Sequence, residues 1–120
     1  MKILNEEEVS LLKELAIVDA GLINIGFKES KHLGLMFLSN ALTSFEENYL
    51  KPRYGKIITS FSSEYRVLLI EILKNIDDLY KDEVLSEVLI PKVKRIGDEE
   101  ALDFINLLRK TPSFRSEYVH

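Results

Sequence analysis

Two Glu-x-x-His spacings occur in the chain, Glu29 with His32 and Glu117 with His120. Residues three apart on a helix share a face. Paired motifs of this kind hold di-iron centres inside four-helix bundles when two further carboxylates point inward from other helices. The second pair is poorly supplied here. The most apolar stretch carries only Glu64 and Glu71, Glu71 falls opposite much of the apolar stripe, and His120 is the final residue, where helices fray. The expectation is two chance spacings on solvated segments, with no metal and no cofactor.

Other catalytic arrangements fare no better. With two His far apart, a Ser-His-Asp triad would have to borrow His32 or His120. Ser60, Ser62 and Ser63 lack the glycine-flanked elbow that exposes a hydrolase nucleophile, and serines ahead of an apolar-periodic run are helix caps. Gly26 and Gly34 belong to neither phosphate-cradling pattern, G-x-G-x-x-G or G-x-x-x-x-G-K-[ST]. Cysteine is absent, which removes disulfides, thiolate metal sites and a Cys nucleophile together. The chain is read as a non-enzyme with no catalytic residue.

Charge points to partners instead. Lys51, Arg53 and Lys56 form one basic cluster and Lys92, Lys94 and Arg95 another. Acidic helices flank both and cancel their field within a Debye length of about 10 Å. The net charge of −4 also removes the long-range attraction that draws proteins to nucleic acid. On the acidic side, Asp77, Asp78, Asp82 and Glu83 surround Leu79 and Tyr80. Acids around an aromatic anchor suit docking on a basic protein, because charge steers the approach and the buried ring supplies affinity. Asp77, Asp78, Tyr80, Asp82 and Glu83 are therefore the candidate partner-binding residues. The plainer account has the acids capping helices and Tyr80 completing a core stripe.

Position must come from helices. At 120 residues, with 46% apolar and 30% charged residues, the chain matches one globular domain over 1–120. Lys2 is followed by one short apolar pair and then Glu6, Glu7 and Glu8, not by the apolar run of a secretory signal. Val67 to Ile70 is the longest aliphatic run, against the about 20 residues needed to span a bilayer. These features, with the lack of Cys, predict a soluble, cytoplasmic protein with no membrane contact.

The apolar spacing predicts five helices. The first starts at Asn5, with Glu8 three residues on as an Asn variant of the capping box, carries Val9, Leu12, Leu15 and Ala16, and ends at Gly21. Residues 22–29 read equally as extended or as frayed helix. Ser30 caps a second helix with the stripe Leu35, Leu38, Leu42, Phe45 and Tyr49, stopped by Pro52. The third starts among Ser60, Ser62 and Ser63 and runs to about Tyr80, with Tyr65, Leu68, Ile72, Ile76 and Leu79 in line and Leu69 and Leu73 beside them. Val67 and Ile70 lie off that stripe, so this helix is apolar around much of its circumference and belongs at the centre. Asp82 caps a fourth helix, which Pro91 restarts or kinks. Gly97 stops it, and Asp98, Glu99 and Glu100 open a fifth carrying Leu102, Ile105 and Leu108. That helix ends before Pro112, and a tail with Phe114 and Tyr118 docks.

The expectation is thus an all-α, irregular bundle of about five helices with its central helix near residues 61–80. The apolar clusters around Phe37, Leu69 and Ile105 lie a third of the chain apart, as stacked helical hairpins would, although nothing else repeats. By elimination the function is non-catalytic protein binding. The most concrete form is a small acidic neutraliser of a basic partner, in the manner of an immunity protein or antitoxin. The alternatives are a helical module that homodimerises through spare apolar surface around Val67 and Ile70, and a regulatory nucleic-acid binder using Lys92 to Arg95.

Overall fold

One residue, Ser30, separates the first two helices and turns the chain back on itself. The computed structural model describes residues 4–55 and 62–110. Lys2, Lys56, Ser60, the tail with Phe114 and Tyr118, and the pair Glu117 and His120 lie outside the described residues. Helix α1, Glu6–Glu29, begins at the expected capping box. The Glu8 amide donates to Asn5 Oδ1 at 2.8 Å, and the Asn5 amide donates to the Glu8 carboxylate at 3.4 Å. It does not end at Gly21. Residues 22–29 are helical, and the break comes where Ser30 adopts extended dihedrals and its Oγ accepts from the Leu33 amide at 3.1 Å. Glu29 and His32 therefore sit on different helices, so the three-residue spacing does not place them on one face.

Helix α2 spans residues 31–54, α-helical over Lys31–Phe45, π-helical over Glu46–Leu50 and α-helical again over Lys51–Tyr54. Pro52 does not stop it. A proline ring clashes with the carbonyl four residues back, and the wider π turn relieves this: the Lys51 amide reaches the carbonyl of Glu46, five residues back. Gly55 ends the helix in the left-handed region at φ 76°.

Helix α3, Ser63–Asn75, starts on a Ser62 cap that accepts from the Tyr65 amide at 3.2 Å. It stops five residues short of Tyr80 because Ile76 turns extended, with ψ 144°. Residues 78–96 form α4: a 3-10 turn over Asp78–Tyr80, an α turn over Lys81–Glu83, a π segment over Val84–Leu89 and an α segment over Ile90–Ile96. Asp82 lies inside this helix and caps nothing. The π segment again precedes a proline, Pro91, and the Ile90 amide reaches five residues back to Leu85. Gly97, at φ 80°, ends α4. Asp98 Oδ1 then accepts from the Ala101 amide at 3.0 Å and opens α5, Glu99–Lys110.

The described residues form an all-α, irregular five-helix bundle. Helix α1 packs on α2 and α3, while α4 and α5 close the other side. The core runs through Leu12 and Ile23 of α1, Leu38 of α2, Leu68 and Ile72 of α3, and Leu89 of α4. Val67 and Ile70 pack half-buried against that core, which leaves only part of the spare apolar surface expected there exposed. Leu79, expected in the α3 stripe, is instead 77% exposed.

The α1–α2 crossing is close because both contact residues are glycines. A Cβ on Gly26 would lie 3.0 Å from the Gly34 Cα, and one on Gly34 would enter the Phe27 ring. Ion pairs fasten the remaining joints. Arg53 at the end of α2 bonds Glu8 at the start of α1. Lys31 pairs with Glu87, and Lys92 with Glu46, each at 2.5 Å, tying α2 to α4.

Candidate functional site

The five residues nominated from the sequence lie around the start of α4, where the structure divides their roles. Asp77 and Asp78 are exposed. Asp78 pairs with Lys81 at 3.5 Å, and Asp82 pairs with Arg109 of α5 at 3.0 Å. Tyr80 does not project outward: its ring stacks on Phe27 at 4.5 Å with 10° between planes, closing the end of α1. Glu83 is half-buried, with Oε2 out of reach of solvent. Two of the four acids are thus matched by cations of the same chain, and the aromatic anchor is spent on the core.

A more extensive surface lies on α1. Leu11, Leu15, Val18, Leu22 and Ile25 follow one another by steps of four, three, four and three, and each is between 39% and 62% exposed. That is the period of a coiled-coil seam. Another stripe on the same helix, including Leu12, Ala16, Ile23 and Phe27, faces the core. Helix α1 is therefore apolar on two faces. Only one has a partner among the described residues.

The exposed stripe borders a groove between α1 and α2, of about 370 Å³ towards the start of α1, lined by Leu11, Leu15 and Ala41 with Ser44 and Asn48 on its rim. A continuation of about 300 Å³ runs past Leu22, Phe37 and Asn40. Asp19 lines both. Burial among these apolar walls raises its carboxyl above the ordinary value of 3.8. Tyr49, the other titratable group lining the groove, has its phenol raised by burial as well, while the neighbouring Arg53 pulls it the other way.

Gly21 sits beside this stripe, exposed in the middle of a 24-residue helix. Nothing lies within 4 Å of where its Cβ would be. A glycine there destabilises the helix by about 0.5–1 kcal/mol relative to alanine, and no packing among the described residues calls for it.

The sequence hides this face because Gly21 resembles a helix end, which cuts the stripe after Val18. The signal was present in the 4-3-4-3 spacing from Leu11 to Ile25. Among the described residues there is no group of three potential metal ligands, and no helix is long and apolar enough to cross a membrane. The chain matches no family model, no curated protein and no solved structure.

Proposed function

We propose that the chain is a non-catalytic protein-binding module that docks an amphipathic helix on the outer face of α1. One observation carries this reading: the exposed heptad stripe from Leu11 to Ile25 beside the α1–α2 groove. Five neighbouring aliphatic side chains expose on the order of 400 Å² of apolar surface, the size of the largest apolar patch on a typical soluble monomer, which is often functional. A straight ridge beside a shallow groove fits the helix-in-groove mode of recognition, where anchors recur every three and four residues. The groove supports binding over chemistry, since the described residues along its lining include one carboxylate, Asp19, and no histidine or second acid.

The test compares three tagged baits at moderate salt: wild type, Val18→Lys with Leu22→Lys, and a variant with Asp77, Asp78, Asp82 and Glu83 made neutral. Both substituted α1 side chains are more than half exposed, so the fold should survive their replacement. Loss of a stoichiometric partner from the α1 variant alone supports the reading. Capture that ignores the α1 substitutions overturns it.

The neutraliser of a basic partner is the second reading, favoured by one observation. Leu79 is 77% exposed beside Asp77 and Asp78, an apolar tip with an acidic rim. Loss of capture from the acidic-cluster variant alone would move this reading to first place.

A further inference from the structure

We infer that the helix docked on α1 is α1 of a second copy, running antiparallel across a two-fold axis that passes between Val18 and Leu22. This rests on the docking reading above and adds the occupant.

The pattern is self-complementary from Leu15 to Ile25, with Leu11 left outside the paired layers. In an antiparallel coiled coil, the two kinds of seam position share each layer. Folding the stripe about a point between Val18 and Leu22 sets Val18 against Leu22 of the second copy, and Leu15 against Ile25 of the second copy. Each pairing occurs twice, so four apolar layers form from four residues. Gly21 then lies beside the axis facing Gly21 of the second copy, where a missing Cβ lets the helices approach. This accounts for a glycine that nothing among the described residues requires. In the same register Glu14 faces Lys28 of the second copy, and the symmetry repeats that pair. Both are exposed, and neither forms an ion pair among the described residues.

A parallel pair is less favourable, since it would set Glu14 against Asp19 of the second copy, two like charges in the usual flanking positions. The antiparallel pair has one like-charged contact of its own, between the two Asp19 carboxylates on the α2 side of the axis. Apolar surface on the order of 400 Å² per copy is below the about 800 Å² per partner of a standard interface. The association is accordingly expected to be weak and concentration-dependent.

Sedimentation equilibrium from about 5 to about 500 µM tests the association. Wild type should pass from monomer to dimer. Val18→Lys with Leu22→Lys should stay monomeric, and so should Gly21→Gln, whose thermal midpoint should be no lower than wild type because the exposed site has room for the side chain. Asp19→Asn should tighten association several-fold.

Because the chain contains no cysteine, single-cysteine variants report the register directly. A tagged Val18→Cys chain mixed with an untagged Leu22→Cys chain should form the mixed disulfide several-fold faster than either forms its own. Self-cross-linking of each variant in preference to the mixed product overturns the antiparallel register. A monomer at every concentration overturns the second copy as occupant while leaving protein docking to the bait experiment. A dimer indifferent to the α1 substitutions overturns the inference and counts against the docking face as well.

Discussion

Gly34 and Phe27 are in contact across the turn between α1 and α2: a Cβ on Gly34 would stand 2.3 Å from Cγ of the Phe27 ring. The ring has little freedom to yield, because Tyr80 stacks on it at 4.5 Å. Gly34→Ala should therefore cost about 1–3 kcal/mol, as overpacking does, read as a lower denaturant midpoint. Pairing it with Phe27→Leu should recover part of that loss in a double-mutant cycle. An unaltered midpoint for Gly34→Ala would mean that the helices do not cross this closely.

Asn24 holds the end of α3 from a distance of about 50 positions in sequence. Its Nδ2 donates to the Asn75 carbonyl at 2.9 Å, and its Oδ1 accepts from the Asp77 amide at 3.0 Å. These two bonds satisfy the backbone where α3 stops and α4 has yet to start. Asn24→Ala should destabilise by about 1–2 kcal/mol. Faster hydrogen exchange should be concentrated at the Asp77 amide. Asn24→Asp, which keeps the acceptor and loses the donor, should fall between. Equal exchange at Asp77 in wild type and Asn24→Ala would remove the clamp from the account.

These two sites show which parts of the molecule were legible in the sequence. Local signals are legible where the deciding partner is close in sequence: the Asn5 capping box, the Ser30 cap, a third-helix start among Ser60, Ser62 and Ser63 that falls on Ser62, and the Gly97 stop. Boundaries set from a distance were not. The third helix was expected to reach Tyr80 because the apolar period continues to Leu79, yet Asn24, on another helix, fixes the turn after Asn75. Pro52 read as a stop because a proline in a regular α-helix is one, and the π turn before it has no signature of its own. Gly21 read as an end for the same reason, and that error hid the exposed stripe. The acidic cluster was legible as composition, but its pairing to Lys81 and Arg109 was not.

Gly21 yields a prediction with two opposite signs. In dilute monomer, Gly21→Ala should raise the thermal midpoint by about 3 °C, since helix propensity improves by about 0.5–1 kcal/mol and the added methyl meets nothing within 4 Å. At concentrations where α1 is paired, the same methyl sits at the crossing and should weaken association. A midpoint that falls in dilute solution would show that Gly21 already serves the monomer, which would leave the glycine with no bearing on an interface.

Asp19 gives the chain a pH dependence whose direction follows from its surroundings. The carboxyl is half-buried on α1 between Leu15 and Leu22, and α2 faces it with Asn40, Ala41, Ser44, Asn48 and the neutral phenol of Tyr49. None of these supplies a positive charge. Burial therefore raises its pKa above 3.8. A carboxyl raised on folding is disfavoured in its charged form. The penalty is absent below the unfolded value, grows as pH rises through the window above it, and is complete once the folded value is passed. Asp19→Asn removes it, so the variant should be the more stable at pH 7, by a thermal midpoint difference of about 1–2 °C for a group still half in water. That difference should shrink as the pH is lowered and vanish below the ordinary value of 3.8. Thermal melts of the two proteins between pH 7 and the acid limit measure it. A wild type that is more stable than Asp19→Asn at pH 7 would require a cation near Asp19 that the described residues lining the groove do not supply.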